Sequence, residues 1–387
     1  MKQIITYIMT FSLFISYGCK ERTGDKTNAI LVDIDNISDD ISVFDIFDKT
    51  EIIPLETNKE SLIKYITKLV CYNNDLYIFD YNLSKILAFD HSGKFLFNID
   101  NRGQGPEQYL HIADFDIDTE NDRIIFVSAI DSKLHEYDMK GNFIQKYNLP
   151  EIRNGAYLYM KYLTSDIIAF WTFDYNNRLK FYSKNENRFI SECFPETENF
   201  YGKINTPLFP YGNRMARPVD NNIYEMTVDG KLSIAYTWDF GELNIDLKKL
   251  IIPPVENRSD SKTKKIIMGY MEKVRASEII NYIFGNSGGN SDYTYVQVIR
   301  KNKEVNIFYD KRRRQSVVFE KTKENAYFYP VFWSEDFVIG LIPEMSDIEW
   351  KRVVPDTILD AENMERKNQH NEFDNPMLVK YYFKKQL

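Results

Sequence analysis

Residues 76–99 read LYIFDYNLSKILAFDHSGKFLFNI, and residues 124–147 read IIFVSAIDSKLHEYDMKGNFIQKY. Sliding the first onto the second by 48 positions, with no gap, superposes Ser84 on Ser132, Lys85 on Lys133, Asp90 on Asp138, Gly93 on Gly141 and Phe95 on Phe143. This is an internal repeat. A period of about 40 to 50 residues, holding several short strands per copy, is the signature of a β-propeller blade. The expected class is therefore all-β, built of four-stranded antiparallel blades.

The two clearest copies resolve into strands by their alternating patterns. The first spans 65–72, 76–80, 85–90 and 94–99, with His91-Ser92-Gly93 as a tight turn, and the second spans 112–118, 123–128, 133–138 and 142–148. Degenerate copies follow at 166–194, 222–239 and 293–320, and a sixth begins with 327–333 and 337–342. That sixth copy lacks its outer half until MLVKYYFK at 377–384 arrives. Two stretches interrupt the pattern. In 242–289, Pro253-Pro254 precedes a charged segment and then Ile267, Met271, Val274 and Glu278 at helical spacing, so a largely helical insertion is expected. A short helix crossing one face is expected in 347–371. With the 48-residue insertion set aside, 294 residues remain in 46–387; six blades give 49 each, close to the period, and seven give 42.

Strand EIIPLET at 51–57 has no sequence neighbour to pair with, and Pro54 inside it points to a sheet edge because proline donates no ladder bond. Propellers avoid exposed edges by letting both chain ends share a blade. Residues 52–56 are accordingly expected to pair with 378–383.

At the N-terminus, Lys2 precedes an apolar run at 4–15 and then Ser16-Tyr17-Gly18-Cys19. The run is short for a bilayer span and has the proportions of a signal-peptide core, giving a leader over 1–18. Cys19 resembles the acylated first residue of a bacterial lipoprotein, which implies a membrane anchor through N-terminal lipid. No aspartate follows it, which favours outer-membrane delivery, periplasmic or surface-exposed. Lys20-Glu21 resembles the surface-export signals of Bacteroidetes lipoproteins. Residues 19–45, polar and acidic, read as a flexible tether.

Composition excludes several classes. Forty-three per cent apolar and 15% aromatic residues suffice for a large core, and a net charge of −8 argues against a nucleic-acid partner. Besides Cys19 only Cys71 and Cys193 remain, too few for a disulfide scaffold. The four histidines, His91, His111, His135 and His370, have no ligand spacing, and no nucleophile elbow is present, so no catalytic residue, metal or cofactor is assigned. Asp116, Asp118, Glu120, Asn121 and Asp122 invite calcium, but the EF-hand register puts Asn121 where glycine is needed and Val127 where glutamate is needed; a hairpin tip is the simpler reading.

Between the first two copies lies Asn101-Arg102-Gly103-Gln104-Gly105-Pro106-Glu107-Gln108-Tyr109. A Gly-x-Gly-Pro run followed by a small-apolar strand resembles the blade junction of NHL-type propellers. With the IIPLET strand and Asn375-Pro376-Met377-Leu378-Val379, the chain resembles the six-bladed β-propeller lipoproteins of Bacteroidetes. The resemblance implies a fold and a compartment. The expected function is a cell-envelope binding or scaffolding propeller for a protein, peptide or glycan. Some NHL-like propellers are lyases or lactonases that use scattered channel residues and a divalent metal, so a metal-dependent enzyme with its site in the central channel is the alternative. Arg102, Gln104, Glu107 and Tyr109 are the candidate contact residues, because turn chemistry can present them at the junction. The competing structural role packs Tyr109 between blades and ties Arg102 in an ion pair.

Overall fold

The computed structural model describes residues 28–152, 155–173, 177–194, 207–217, 221–244, 261–280, 286–342 and 354–384. The expected leader and Cys19 lie outside the described residues. Six four-stranded sheets form the blades. Blade 1 is Lys68–Tyr72, Asp75–Asp80, Lys85–Phe89 and Phe95–Ile99; blade 2 is Ile112–Asp118, Arg123–Ser128, Lys133–Asp138 and Phe143–Asn148. Blade 3 is Ala156–Tyr162, Ile167–Phe173, Leu179–Ser183 and Arg188–Cys193. Blade 4 holds Arg214–Ala216, Asn222–Met226 and Leu232–Asp239, and Leu208 bridges Met215 on its inner side. Blade 5 is Ser287–Gly289, Tyr293–Arg300, Lys303–Asp310 and Gln315–Phe319. Blade 6 takes Pro330–Trp333, Phe337–Leu341 and Met377–Phe383 from the C-terminal part and Phe47–Pro54 from the N-terminal part.

The closing strand pairs antiparallel from Phe47 opposite Phe383 to Pro54 opposite Met377. The expected partners are thus correct, in a register that extends back to Phe47 and stops at Pro54. The strand's outer edge is covered rather than open. Helix Ala361–Gln369 lies along it: Asn363 Oδ1 accepts from Ile52 N at 2.7 Å, and Arg366 donates to the Ile52 carbonyl at 3.2 Å. The helix expected to cross one face is therefore an edge cover, which answers the need of an edge strand for partners.

Six apolar clusters fill the interfaces. Phe79 and Ala88 of blade 1 meet Phe115 and Phe126 of blade 2, and Ile125 and Leu134 of blade 2 meet Phe170 and Tyr182 of blade 3. Ile339 and Leu378 of blade 6 meet Leu76 and Phe89 of blade 1, so the ring is closed. Fully burying one such phenylalanine contributes about 1.5–3 kcal/mol. The repeat glycines mark close approaches between outer strands: a Cβ on Gly93 (φ +88°) would stand 2.1 Å from the Pro54 carbonyl oxygen, and one on Gly141 (φ +82°) 2.5 Å from the Phe97 ring.

Two sequence boundaries are corrected. Within the segment read as a flexible tether, 19–45, the described residues from 28 onward pack against the blades. Ala29–Leu31 pairs parallel with the Thr237–Asp239 end of blade 4, and Ile30, Val32 and Ile34 are buried beside Trp238. The chain then passes blade 5, where Ser38 N donates to the Val318 carbonyl (2.8 Å) and Arg300 binds Asp35 (2.6 Å), before the short capped helix Val43–Ile46 and blade 6. Isoleucine and valine alternate here with aspartate, so one face buries while acids point outward. The helical insertion is also shorter than 242–289. Ser261–Ala276 is its described helix, with Tyr270 and Val274 buried, whereas Ser287–Gly289 pairs with Thr294–Val296 as the inner strand of blade 5.

One core group should govern the acid limb of stability. His135 is fully buried, lies flat against Phe126 (4.9 Å, 7°), and neither ring nitrogen has a hydrogen-bond partner among the described residues. Burial drives its pKa down to about 4, below the usual 6.5. The unfolded chain therefore takes up the proton first, and stability falls as pH drops from about 6.5 toward 4, by up to about 3 kcal/mol. His135→Phe should narrow the difference in denaturant midpoint between pH 7 and pH 5; an unchanged difference would count against this origin. Asn363→Ala should cost about 1–3 kcal/mol at neutral pH by orphaning the Ile52 amide, read from the same midpoints.

Candidate functional site

In an up-and-down blade, the connections between blades and those joining second to third strands share one face, and the remaining turns share the other. On the first face, around blades 1 and 2, a set of exposed side chains is held by buried acceptors. Asp80 ends the second strand of blade 1 and is fully buried. Its Oδ2 accepts from Lys64 N (2.6 Å) and Tyr65 N (3.0 Å), and its Oδ1 from Leu83 N (2.9 Å). Tyr81 N donates to Thr67 Oγ1 (3.1 Å). Two loops distant in sequence are thereby clamped together, and both deliver an exposed ring: Tyr65 at 57% and Tyr81 at 48%. Asn375 fixes the same loop from the other side. Its amide accepts from Ile63 N and donates to the carbonyls of Glu56 and Ser61, each at 2.8 Å.

Tyr81 meets His111 edge-on at 4.7 Å. Burial first, and then the Arg102 charge, lowers the His111 pKa, so the imidazole is neutral at pH 7. Inward from this pair lies the channel mouth. Burial, with Asp114 and Tyr81 nearby, pushes Tyr159 up to about 12. Asp114 is raised by burial, with Lys68 opposing. Lys68 Nζ reaches Asp114 (3.0 Å) and the carbonyls of Phe115 (2.6 Å) and Met160 (3.3 Å). Met160 N also donates to Asp114 (2.8 Å), as Tyr162 N does to Asp116 (2.9 Å). These carboxylates alternate along Ile112–Asp118, share one face, and stitch blade 2 to the inner strand of blade 3. Their acceptor capacity is committed to the fold. Asp118 likewise accepts from the amides of Glu120 and Asn121, the hairpin tip expected there.

The junction loop divides the four sequence candidates. Tyr109 is fully buried, with its hydroxyl 2.8 Å from the Ser84 carbonyl and its ring against Phe126 (5.1 Å). It packs between blades 1 and 2 and is no contact residue. Arg102 pairs with Asp100 at 3.2 Å, yet both remain well exposed. Gln104 and Glu107 are exposed. Gly103 N donates to the Tyr109 carbonyl (2.9 Å) and Gly105 N to Gln108 Oε1 (2.8 Å), so the loop amides are spent internally. Gly103 holds φ +156°, a conformation that residues with a side chain rarely adopt, which explains the glycine without a ligand. The structure brings Arg102 within electrostatic range of His111, whose ring meets Tyr81, a grouping sequence reasoning missed. Its only signal was an aspartate closing a strand just ahead of an aromatic turn, Asp80-Tyr81.

Among the described residues no group of three or more His, Cys, Asp or Glu side chains could hold a metal ion. None of the described helices is long and apolar enough to cross a membrane.

Six four-stranded sheets, the last closed by strands from the N-terminal and C-terminal parts, define a six-bladed β-propeller. The chain belongs to the family described as domain of unknown function DUF4934, which matches residues 29–382. Among solved structures, a Bacteroides fragilis protein described as exported superposes with a TM-score of 0.66 at 17% identity, covering 92% of this chain and 99% of that one. A member of the DUF4221 family from Bacteroides vulgatus gives a TM-score of 0.52 at 13% identity, covering 87% and 97%. These two likenesses show the fold alone. No curated protein matches the chain by sequence.

Asp80→Ala should leave the amides of Lys64, Tyr65 and Leu83 without their acceptor. The expected outcome is a loss of about 2 kcal/mol or more, with hydrogen exchange quickened at those amides ahead of the rest of blade 1. Uniform exchange across the blade would mean the carboxylate does not act as the clamp.

Proposed function

We propose that this chain is a binding or scaffolding propeller of the cell envelope, whose partner is a protein, peptide or glycan held on the face around blades 1 and 2. The observation that carries this reading is the presentation of exposed Tyr65 and Tyr81 by the shared Asp80 clamp, with Tyr81 against neutral His111 and Arg102 within electrostatic range of that imidazole. Exposed rings whose backbone is already fixed lose little entropy on binding and offer both apolar faces and hydrogen-bonding edges. Gln104 and Glu107 extend the surface along the junction loop. The chemistry suits an uncharged or mildly acidic polar partner that stacks on tyrosine and hydrogen-bonds to Arg102.

The envelope part of the proposal draws on the lipoprotein-like Gly18-Cys19 leader, the NHL-like junction and the fold shared with an exported Bacteroides protein. In this reading Cys19 carries lipid and anchors the ring in the outer membrane.

Two measurements test it. Tyr81→Ala and Arg102→Ala should each weaken capture on a glycan array, or in photo-crosslinking within envelope preparations, by about tenfold while the melting temperature stays put. Unchanged capture by both folded variants would move the interaction elsewhere. Cys19→Ala should shift the protein from the membrane to the soluble fraction; unaltered partition would remove the lipid anchor from the proposal.

A further inference from the structure

On the opposite face, where blade 6 meets blade 1, a cavity of about 200 Å³ lies beside the turns that carry Asn74 and Ser334. Its wall is apolar on one side, while Tyr72, Asn73, Asn74, His91 and Ser334 give the mouth a polar rim. Ile53, Leu76, Phe332, Phe337 and Ile339 come from the cluster that joins the two blades. Cys71 also lines it, and burial raises its thiol far above the ordinary range, so it is a neutral wall and supplies no anion.

Lys380, on the third strand of blade 6, is the lysine of this cavity. Its Nζ stands 3.9 Å from the Phe337 ring centroid and 4.8 Å from that of Tyr382. Ring faces attract a cation but do not satisfy three N–H donors as oxygen acceptors would. Among the described residues no hydrogen-bond acceptor or ion-pair partner engages this ammonium. Lys68, Lys184 and Lys367 have carboxylate partners in Asp114, Glu136 and Asp356, whereas Lys85, buried within blade 1, likewise has none among the described residues but does not line this cavity. Burial lowers the Lys380 pKa from the ordinary lysine value, Glu51, Cys71 and Asp336 oppose that, and Lys49 adds to it, so an anion in the cavity would relieve the cost of keeping the ammonium charged. Glu51 is already committed to the Tyr382 hydroxyl (2.6 Å) and to Arg366 (3.5 Å).

We infer that this cavity is a binding site for a small amphipathic monocarboxylate, with its short alkyl chain on the apolar wall and its carboxylate on Lys380. The size sets the class, since drug-sized ligands occupy clefts of about 300 Å³ and more. An inorganic anion would leave the aromatic and aliphatic wall against water, and a neutral hydrocarbon would leave the ammonium unmatched. The site lies away from the Tyr81 face, so its fate is independent of the binding reading given above.

Hexanoate is the probe, titrated into the full-length protein by calorimetry. Saturable binding is expected below about 10 mM, weakened about tenfold or more by Lys380→Met and largely kept by Lys380→Arg. Hexanol should bind about tenfold more weakly than hexanoate, and inorganic phosphate should not compete. Melting curves for both variants establish that each is folded. No saturation with wild type, equal affinity in folded Lys380→Met, or equal affinity for hexanol would each overturn the assignment.

Discussion

Everything in this ring depends on strand Phe47–Pro54 finding Met377–Phe383. A propeller blade contacts only its two neighbours, so the circle is as secure as its last-made interface. Here that interface is secured three times over: by the antiparallel ladder, by the apolar cluster between blades 6 and 1, and by helix Ala361–Gln369 along the outer edge. The helix matters because an outermost strand exposes a row of unpaired amides, an invitation to another chain. Asn363 turns that edge inward. The parallel strand Ala29–Leu31 extends the same device to blade 4, so the N-terminal segment fastens blades 4, 5 and 6 from outside.

Much of this was legible because propeller physics repeats itself. Asp90 and Asp138 each accept from amides two and four residues on, Ser92 and Lys94 in one turn and Lys140 and Asn142 in the other, and Gly93 and Gly141 follow with positive φ. The identical residues at 48-residue spacing are therefore the ones whose geometry is forced. Copies without that turn chemistry faded. Ala156–Tyr162, Arg214–Ala216 and Ser287–Gly289 went unread, the first because AYLYMKY shows no clean apolar–polar alternation and the other two because three residues are too few to show a period. The strand at Ala29–Leu31 was hidden differently: its pattern was present, but flanking aspartates gave the composition of a solvated tether.

The functional face was less legible, for a reason rooted in electrostatics. A sequence shows that Asp80, Asp114 and Asp116 are acids; it does not show that their oxygens are consumed by amides and lysines of neighbouring strands. A buried carboxylate surrounded by donors behaves as a structural rivet, while chemistry or recognition falls to what it positions. Tyr109 illustrates the same division within one loop, as a core anchor that keeps Arg102 near the surface. Tyr65 and Tyr81 gain their prominence from Asp80, a link between positions that no local pattern reveals.

The N-terminal belt also sets an order of events. Synthesis runs from the N-terminal to the C-terminal side, yet Ala29–Leu31 must wait for Thr237–Asp239, and Phe47–Pro54 must wait for Met377–Phe383. Residues 29–31 and 47–54 thus precede the strands that pair with them by more than two hundred and more than three hundred residues. Blades 1 and 2, whose strands pair only with sequence neighbours, can assemble as they emerge. A chain truncated anywhere before the final strand keeps apolar Ile52 and Ile53 exposed, which is the surface a protease or holdase recognises. Topology itself then serves as a proofreading step, since only a chain that has reached Met377–Phe383 can cover Phe47–Pro54.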